Sequence, residues 1–294
     1  MKKVVVFGGS GFLGSYVVDE LIDRGYNVLV ADIIEPTNLN PNREFLQCDI
    51  MDINSFLDAL DDIDIVYNFA AFAEIDKASM NPYKTISLNV LGNLNVLEAC
   101  KLKNIKRFVY ASSTYALSNR GSFYGISKYT SEKLTEEYQN AYGLDYTVVR
   151  YGSLYGERAG KDNFIYRLLY NAIKNKNIKV NGSGDELREY IHAEDAAKLS
   201  VDVLEDKRYI NEHIILTGTE QLTRLELLTM INEILNEDIT IEMKDTTNMG
   251  HYNITPYVYH PSRAKKLVAN PFIDLGQGLV ECIKKIHNDI ENKI

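Results

Sequence analysis

Through the first half of the chain, short apolar runs alternate with stretches of helical periodicity. Apolar runs of strand length occupy 3–7, 27–31, 44–48, 64–69, 106–112 and 145–150. Between them, 12–24, 53–60, 83–103 and 123–142 repeat apolar residues at the spacing of an amphipathic helix. That alternation predicts right-handed crossovers and a doubly wound α/β fold on a parallel sheet. Gly143 is placed to stop the last of these helices. Beyond 155 the pattern loosens into helices near 162–175, 193–205, 223–236 and 275–292, with strand-like pieces at 178–180, 213–217 and 239–243. This smaller C-terminal α/β region is expected to cover the carboxyl edge of the sheet, where ligands of open α/β folds bind.

Length and composition change this picture little. With 294 residues the chain can bury a sizeable core, and its 45% hydrophobic and 25% charged residues are those of a soluble globular protein. A net charge of -9 argues against a general binder of nucleic acid or of a membrane surface, both anionic. No apolar stretch approaches the roughly 20 residues of a membrane span, and the opening Met-Lys-Lys and its apolar run read as a first strand interrupted by Gly-Gly-Ser-Gly. Cys48, Cys100 and Cys282 are scattered without disulfide-framework or zinc spacing, so a reducing cytoplasm is expected. His192, His213, His251, His260 and His287 form no close pair, and no metal site is expected.

The chemistry lies in two distant segments. Residues 5–14, Val-Val-Phe-Gly-Gly-Ser-Gly-Phe-Leu-Gly, suit a strand that ends in a tight loop and feeds a helix whose N-terminus faces a pyrophosphate. Gly8 permits unusual backbone angles, Gly11 lets main chain approach phosphate oxygens, and Gly14 lets the helix lie close to its strand. Alone, the motif also fits an ordinary Gly-rich turn. The second strand ends in Asp32, whose carboxylate suits a ribose diol and repels a 2′-phosphate; no Arg follows in Ile33-Ile34-Glu35, so NAD is favoured over NADP. An Asp capping a turn would look the same.

Tyr124 and Lys128 in Tyr-Gly-Ile-Ser-Lys lie one helical turn apart. Free tyrosine, with a pKa near 10, is a poor base at neutral pH, and an adjacent ammonium, with a nicotinamide cation nearby, is expected to favour the phenolate and lower that value. In a chain with 20 tyrosines, Tyr-x-x-x-Lys also arises by chance. Residues 107–113, Arg-Phe-Val-Tyr-Ala-Ser-Ser, read as a strand delivering the Ser113 hydroxyl at its carboxyl end, where it can bond a substrate oxygen.

Over nearly its whole length the chain resembles the extended short-chain dehydrogenase/reductase family, the NAD-dependent nucleotide-sugar epimerases and dehydratases. The resemblance rests on Gly8-x-x-Gly11-x-x-Gly14, Asp49-Ile50, Asn68-Phe-Ala-Ala71, Asn89 in Asn-Val-Leu-Gly-Asn, Arg150-Tyr-Gly-Ser-Leu-Tyr-Gly156 and Arg188-Glu-Tyr-Ile-His-Ala-Glu-Asp195. It implies NAD contacts from Gly8, Gly11, Phe12, Leu13, Gly14, Asp32, Asp49, Ile50, Phe69, Ala70, Ala71, Asn89, Tyr124, Lys128 and Tyr151. It implies substrate contacts from Ser113, Thr114, Ser153 and Arg188, the last at a nucleotide diphosphate. Tyr124 would be the base, Lys128 would hold the nicotinamide ribose, and Ser113 would orient the hydroxyl. By the same resemblance, 1–155 with a return segment at about 187–217 forms the NAD-binding domain, and 156–186 with 218–294 the substrate domain.

The implied activity is NAD-dependent oxidation at C4 of a nucleoside-diphosphate sugar, first as a 4-epimerase, with a 4-dehydrogenase or 4-keto reductase as the alternative on the same residues. A non-catalytic NAD-sensing protein is the reading from another class. Departures matter: Thr114 and Tyr115 stand where family dehydratases carry Asp-Glu, which argues against dehydration, and Asn68 and Ser153 replace a common histidine and asparagine. The helices at 83–103 and 123–142 resemble the pair that family homodimers pack into a four-helix bundle. The aromatic stretch His251–Pro261 fits either a wall of the nucleotide pocket or a loop on the small domain, and Arg263, Lys265 and Lys266 read as a solvated helix start.

Overall fold

The structure, a computed structural model, describes residues 2–36, 43–118, 120–244, 251–255 and 264–292. The first half runs β1 (Lys3–Phe7), α1 (Phe12–Asp23), β2 (Asn27–Asp32), β3 (Glu44–Gln47), β4 (Ile65–Asn68), α2 (Ile75–Met80), α3 (Pro82–Ile86), α4 (Asn93–Leu102), β5 (Arg107–Ser113), α5 (Ser122–Tyr142) and β6 (Asp145–Tyr151). Then follow β7 (Ser153–Tyr155), α6 (Phe164–Asn175), β8 (Asn177–Asn181), β9 (Leu187–His192), α7 (Ala193–Glu205), β10 (Glu212–Leu216), β11 (Gln221–Thr223), α8 (Arg224–Leu235), β12 (Thr240–Lys244), β13 (Lys265–Leu267) and α9 (Leu275–Glu291).

Among the described residues the main sheet has eight strands in the order β13-β10-β6-β5-β4-β1-β2-β3, every neighbouring pair parallel. The direction of winding reverses between β1 and β4, which opens a crevice at their carboxyl ends. Strands covered on both faces must be apolar throughout, as Val4, Val5, Val6 and Phe7 are. One face packs on α1 and α7 through Val17, Leu21, Ala197 and Val201; the other packs on α4 and α5 through Val96, Leu97 and Tyr138. A separate core joins α6, α8, α9 and β8 around Leu169, Leu228, Ile178 and Leu279. The expected doubly wound sheet and smaller C-terminal region are therefore present.

The departures from periodicity have local causes. The helix expected over 53–60 is two single turns, Ile53–Ser55 and Asp58–Leu60, because Phe56 leaves the helical path to bury its ring against Phe7, 4.9 Å away. The helix expected over 83–103 is α3, a π-helical turn at Ser87–Gly92, and α4. In that widened turn the Asn89 carbonyl accepts from the Ser131 hydroxyl at 2.8 Å. Lys265 and Lys266 start no helix: they lie in β13, which covers the edge of β10 while the two ammonium groups pair with Glu212 and Glu189. Arg263 and His260 lie outside the described residues. β7, β9 and β11 form a small sheet of their own, and the charged Arg188 and Glu189 in β9 disguise it as non-strand.

Candidate active site

The glycine loop sits at the crevice. Gly8 has φ +74 and approaches the next crossover so closely that a Cβ there would lie 2.5 Å from the Ala70 nitrogen. Gly11 starts α1 with no side-chain cap, which leaves the first-turn N–H groups facing outward. Phe12 and Leu13 follow in that first turn, and a Cβ on Gly14 would lie 2.2 Å from the Gly8 carbonyl oxygen. Asp32, at the end of β2, accepts from the backbone N–H of Ser10 at 3.0 Å and so ties the loop to the strand. Asp49 accepts from the Met51 N–H at 2.9 Å, and Ile50 is buried against Gly92.

Asn89 makes its amide contacts inside the protein. It accepts from the Phe72 N–H at 2.7 Å and donates to the Phe72 carbonyl and to the Ser127 hydroxyl. It thus pins the loop carrying Phe69, Ala70 and Ala71 to α5. Asn68 is equally enclosed, donating to Asn93 at 2.8 Å and accepting from the Ala70 N–H.

Ser113, Tyr124 and Lys128 converge at the carboxyl end of β5. The Tyr124 phenol is hydrogen-bonded to Ser113, and the Ser113 oxygen also accepts from the Tyr115 N–H at 3.3 Å. The Lys128 ammonium donates to the Ala111 carbonyl at 2.7 Å and lies 5.0 Å from the centre of the Tyr110 ring and 5.9 Å from that of Tyr124. Among the chain's own groups, Lys128 does not bring the Tyr124 pKa down. Burial pushes Tyr124 up to about 12, opposed by the bond to Ser113, and pushes Lys128 down to about 8, opposed by the Glu132 carboxylate. Desolvation of both groups outweighs their mutual effect.

Around this trio stand residues that the sequence placed less well. Thr114, fully buried, shares a hydrogen bond of 3.3 Å with the Tyr252 hydroxyl. Arg188 reaches the same segment, donating to the Tyr252 carbonyl at 2.6 Å and lying over the Tyr252 ring at 4.3 Å. Tyr115 packs on Tyr252 and is bonded to His251 Nδ1 at 2.8 Å, while Nε2 faces Asp76 at 3.3 Å. Tyr252 thus packs at the Tyr124 end of the trio, with His251 behind Tyr115. The remainder of the aromatic stretch, 256–261, lies outside the described residues. The Tyr151 hydroxyl meets Ser200 of α7 at 2.7 Å and its ring joins the core beside Phe69. Ser153 is half-buried in β7, level with Tyr190. Tyr115, Tyr252 and His251 carry no motif, and only the fold brings them to Tyr124.

The family model described as the NAD dependent epimerase/dehydratase family matches residues 4–217. The chain belongs to that family. A Methanocaldococcus jannaschii protein whose name, UDP-glucose 4-epimerase, is itself provisional is 29% identical over 98% of both chains. UDP-glucuronic acid decarboxylase 1 of Arabidopsis thaliana is 28% identical over 99% of this chain and 71% of its own. Among solved structures, a UDP-N-acetylglucosamine 4-epimerase from Methanobrevibacter ruminantium superposes with a TM-score of 0.83 at 25% identity over 98% of this chain and 99% of that one.

The family's cofactor fits the crevice. A Cβ at Gly11 would meet only the Gly8 carbonyl, so the loop presents bare backbone there, and the buried Ser10 hydroxyl has no partner among the described residues. Backbone N–H groups at the start of α1 suit a pyrophosphate, and Asp32 suits a ribose diol.

Proposed function

We propose that this NAD-dependent enzyme oxidises C4 of a nucleoside-diphosphate sugar, a UDP-sugar first of all, and returns the hydride to the other face as a 4-epimerase. The observation that carries the reading is the meeting of Ser113, Tyr124 and Lys128 at the sheet edge, beside a glycine loop shaped for a dinucleotide. The epimerase names of the relatives support it, and so does Tyr115 at the position where dehydratases carry an acid.

Bound NAD would supply a hydride acceptor and a positive charge to this site. In the chain alone Tyr124 is protonated at neutral pH, and a cation brought close favours the phenolate. Tyr124 then takes the proton of the C4 hydroxyl as hydride leaves the same carbon, and gives it back to the ketone oxygen as hydride returns. Ser113 holds that oxygen, and Lys128 holds the ribose of the cofactor. Arg188 faces the diphosphate. The charge balance is closed: one proton and one hydride leave and both come back, so no net oxidation remains after inversion.

Residues 1–155 with the return segment at about 187–217 form the cofactor domain in this reading, and 156–186 with 218–294 the substrate domain. The separate core around α6, α8 and α9 supports that division. The test is incubation of purified protein and NAD with UDP-glucose, UDP-N-acetylglucosamine and UDP-glucuronate, followed by proton NMR of H4. An inverted C4 is expected with at least one sugar; no change at C4 with any nucleoside-diphosphate sugar rejects the reading.

The helical segment running from α3 through α4, together with α5, supports a homodimer through a four-helix bundle. Tyr83, Leu91, Ile126 and Tyr129 are 87%, 49%, 57% and 50% exposed, an apolar outlay that a partner's copy of this face would cover. Light scattering at micromolar concentration is expected to give twice the 33.4 kDa chain mass, and a monomer there removes the dimer.

A further inference from the structure

Tyr124, Lys128, Glu132 and Glu136 follow one another at four-residue intervals along one face of α5. The first two belong to the proposed chemistry; the third is a fully buried carboxylate directly behind them. Glu132 accepts from the Ser112 hydroxyl at 2.5 Å, the neighbour of Ser113, and from Arg150 of β6 through Nε at 2.8 Å and Nη2 at 2.7 Å. His213 of β10 borders the far side, with Nδ1 3.8 Å from Glu132 and Nε2 3.0 Å from Glu136. Also facing the stack are Tyr110 from β5, whose ring lies under the Lys128 ammonium, Lys133 on α5, which pairs with Glu136, and Tyr146 of β6, whose ring packs on His213 at 6.0 Å. Tyr115 and Tyr252 close the Tyr124 end.

A buried carboxylate is costly unless every oxygen is engaged, and a hydrophobic residue of like volume would often serve stability as well. Here the carboxylate joins β5, β6 and α5 at the level where the reacting side chains are mounted. We propose that Glu132 is a positioning residue: fixed by Arg150 and Ser112, its negative charge keeps the ammonium of Lys128 protonated in a dry site. Burial draws the proton off Lys128, and the Glu132 carboxylate opposes this together with the Ala111 carbonyl that accepts from the ammonium. Arg150 has the reverse effect on its surroundings, and its charge is paired with the Glu132 carboxylate.

The inference rests on the proposed role of Lys128 at the cofactor ribose, but its test does not need the sugar. The dissociation constant of NAD is measured by calorimetry from pH 6 to 10 for the wild type, Glu132→Gln, and the double variant Glu132→Leu with Arg150→Met. The wild type is expected to weaken as Lys128 loses its proton, with a midpoint near 8. Removing the negative charge takes the amine's pKa lower still, so the midpoint moves to lower pH, by about one unit. The double variant keeps the packing and removes the charge of both partners, so it folds where the single variant leaves Arg150 uncompensated. It is expected to shift the midpoint in the same direction but by less, because losing the Arg150 cation partly offsets losing the Glu132 carboxylate. A variant that binds NAD more weakly by one factor at every pH, with its midpoint unmoved, overturns the inference and leaves Glu132 a structural residue. Failure of turnover with every sugar, with the NAD titration shifted as described, rejects the epimerase reading and keeps this one.

Discussion

Replacing Tyr124 by phenylalanine is expected to lower kcat by about 10²–10⁴-fold, the range for loss of a positioned acid–base group, while NAD affinity changes by only a few-fold. The substitution removes one hydroxyl, whose partner within the chain is Ser113. Ser113 keeps its bond from the Tyr115 N–H, and the ring still packs against Tyr115 with its plane at 71°. Burial already makes this phenol reluctant to ionise, so a lost proton carrier is not replaced by solvent at the same spot. Steady-state kinetics beside NAD calorimetry separate the effects: a kcat within tenfold of the wild type means that another group moves the proton.

Gly14→Ala should have the second largest effect. The added methyl would sit 2.2 Å from the Gly8 carbonyl oxygen and 3.0 Å from the Gly9 Cα. Both are backbone, so relief requires α1 to move off the loop that it pins. Forced overpacking of this kind costs about 1–3 kcal/mol. The displaced helix start also carries the N–H groups meant for the pyrophosphate, so NAD affinity is expected to fall by more than tenfold. Gly160→Ala, where the methyl meets nothing within 4 Å, is the control and should leave both Tm and NAD affinity unchanged. Differential scanning calorimetry with and without NAD reads both effects; equal behaviour of the two variants would show that the close approach at Gly14 does not matter.

The sequence revealed best what repeats. β1, β2, β5, β6 and α5 appear within a residue or two of their periodic patterns, because a strand buried on both faces and a long amphipathic helix both write their burial into residue type. Gly8, Ser113, Tyr124 and Lys128 were legible for a related reason: each stands at a fixed distance from the end of such an element. Residues that meet across elements left no such trace. Arg188, read for a phosphate, also holds Tyr252 in place, and Asn89, read for the cofactor, spends its amide on Phe72 and Ser127. Glu132 and Arg150 lie 18 positions apart and become a pair only when β6 returns beside β5. The aromatic pattern around His251 was visible, but its contact with Tyr115 depends on how the C-terminal region folds back.

The π-helical turn at Ser87–Gly92 differs from the elements around it in what it depends on. An α-helix tolerates many residue exchanges because its backbone bonds do not consult the side chain, whereas a π-turn exists only through one residue more than the regular path needs. Removing one residue between Ser87 and Asn89 would let α3 run straight into α4, a sounder helix by backbone criteria, and would turn Asn89 by about 100° relative to α3. At this point the molecule stores its function in the count of residues, and drift in chain length is more damaging than drift in composition.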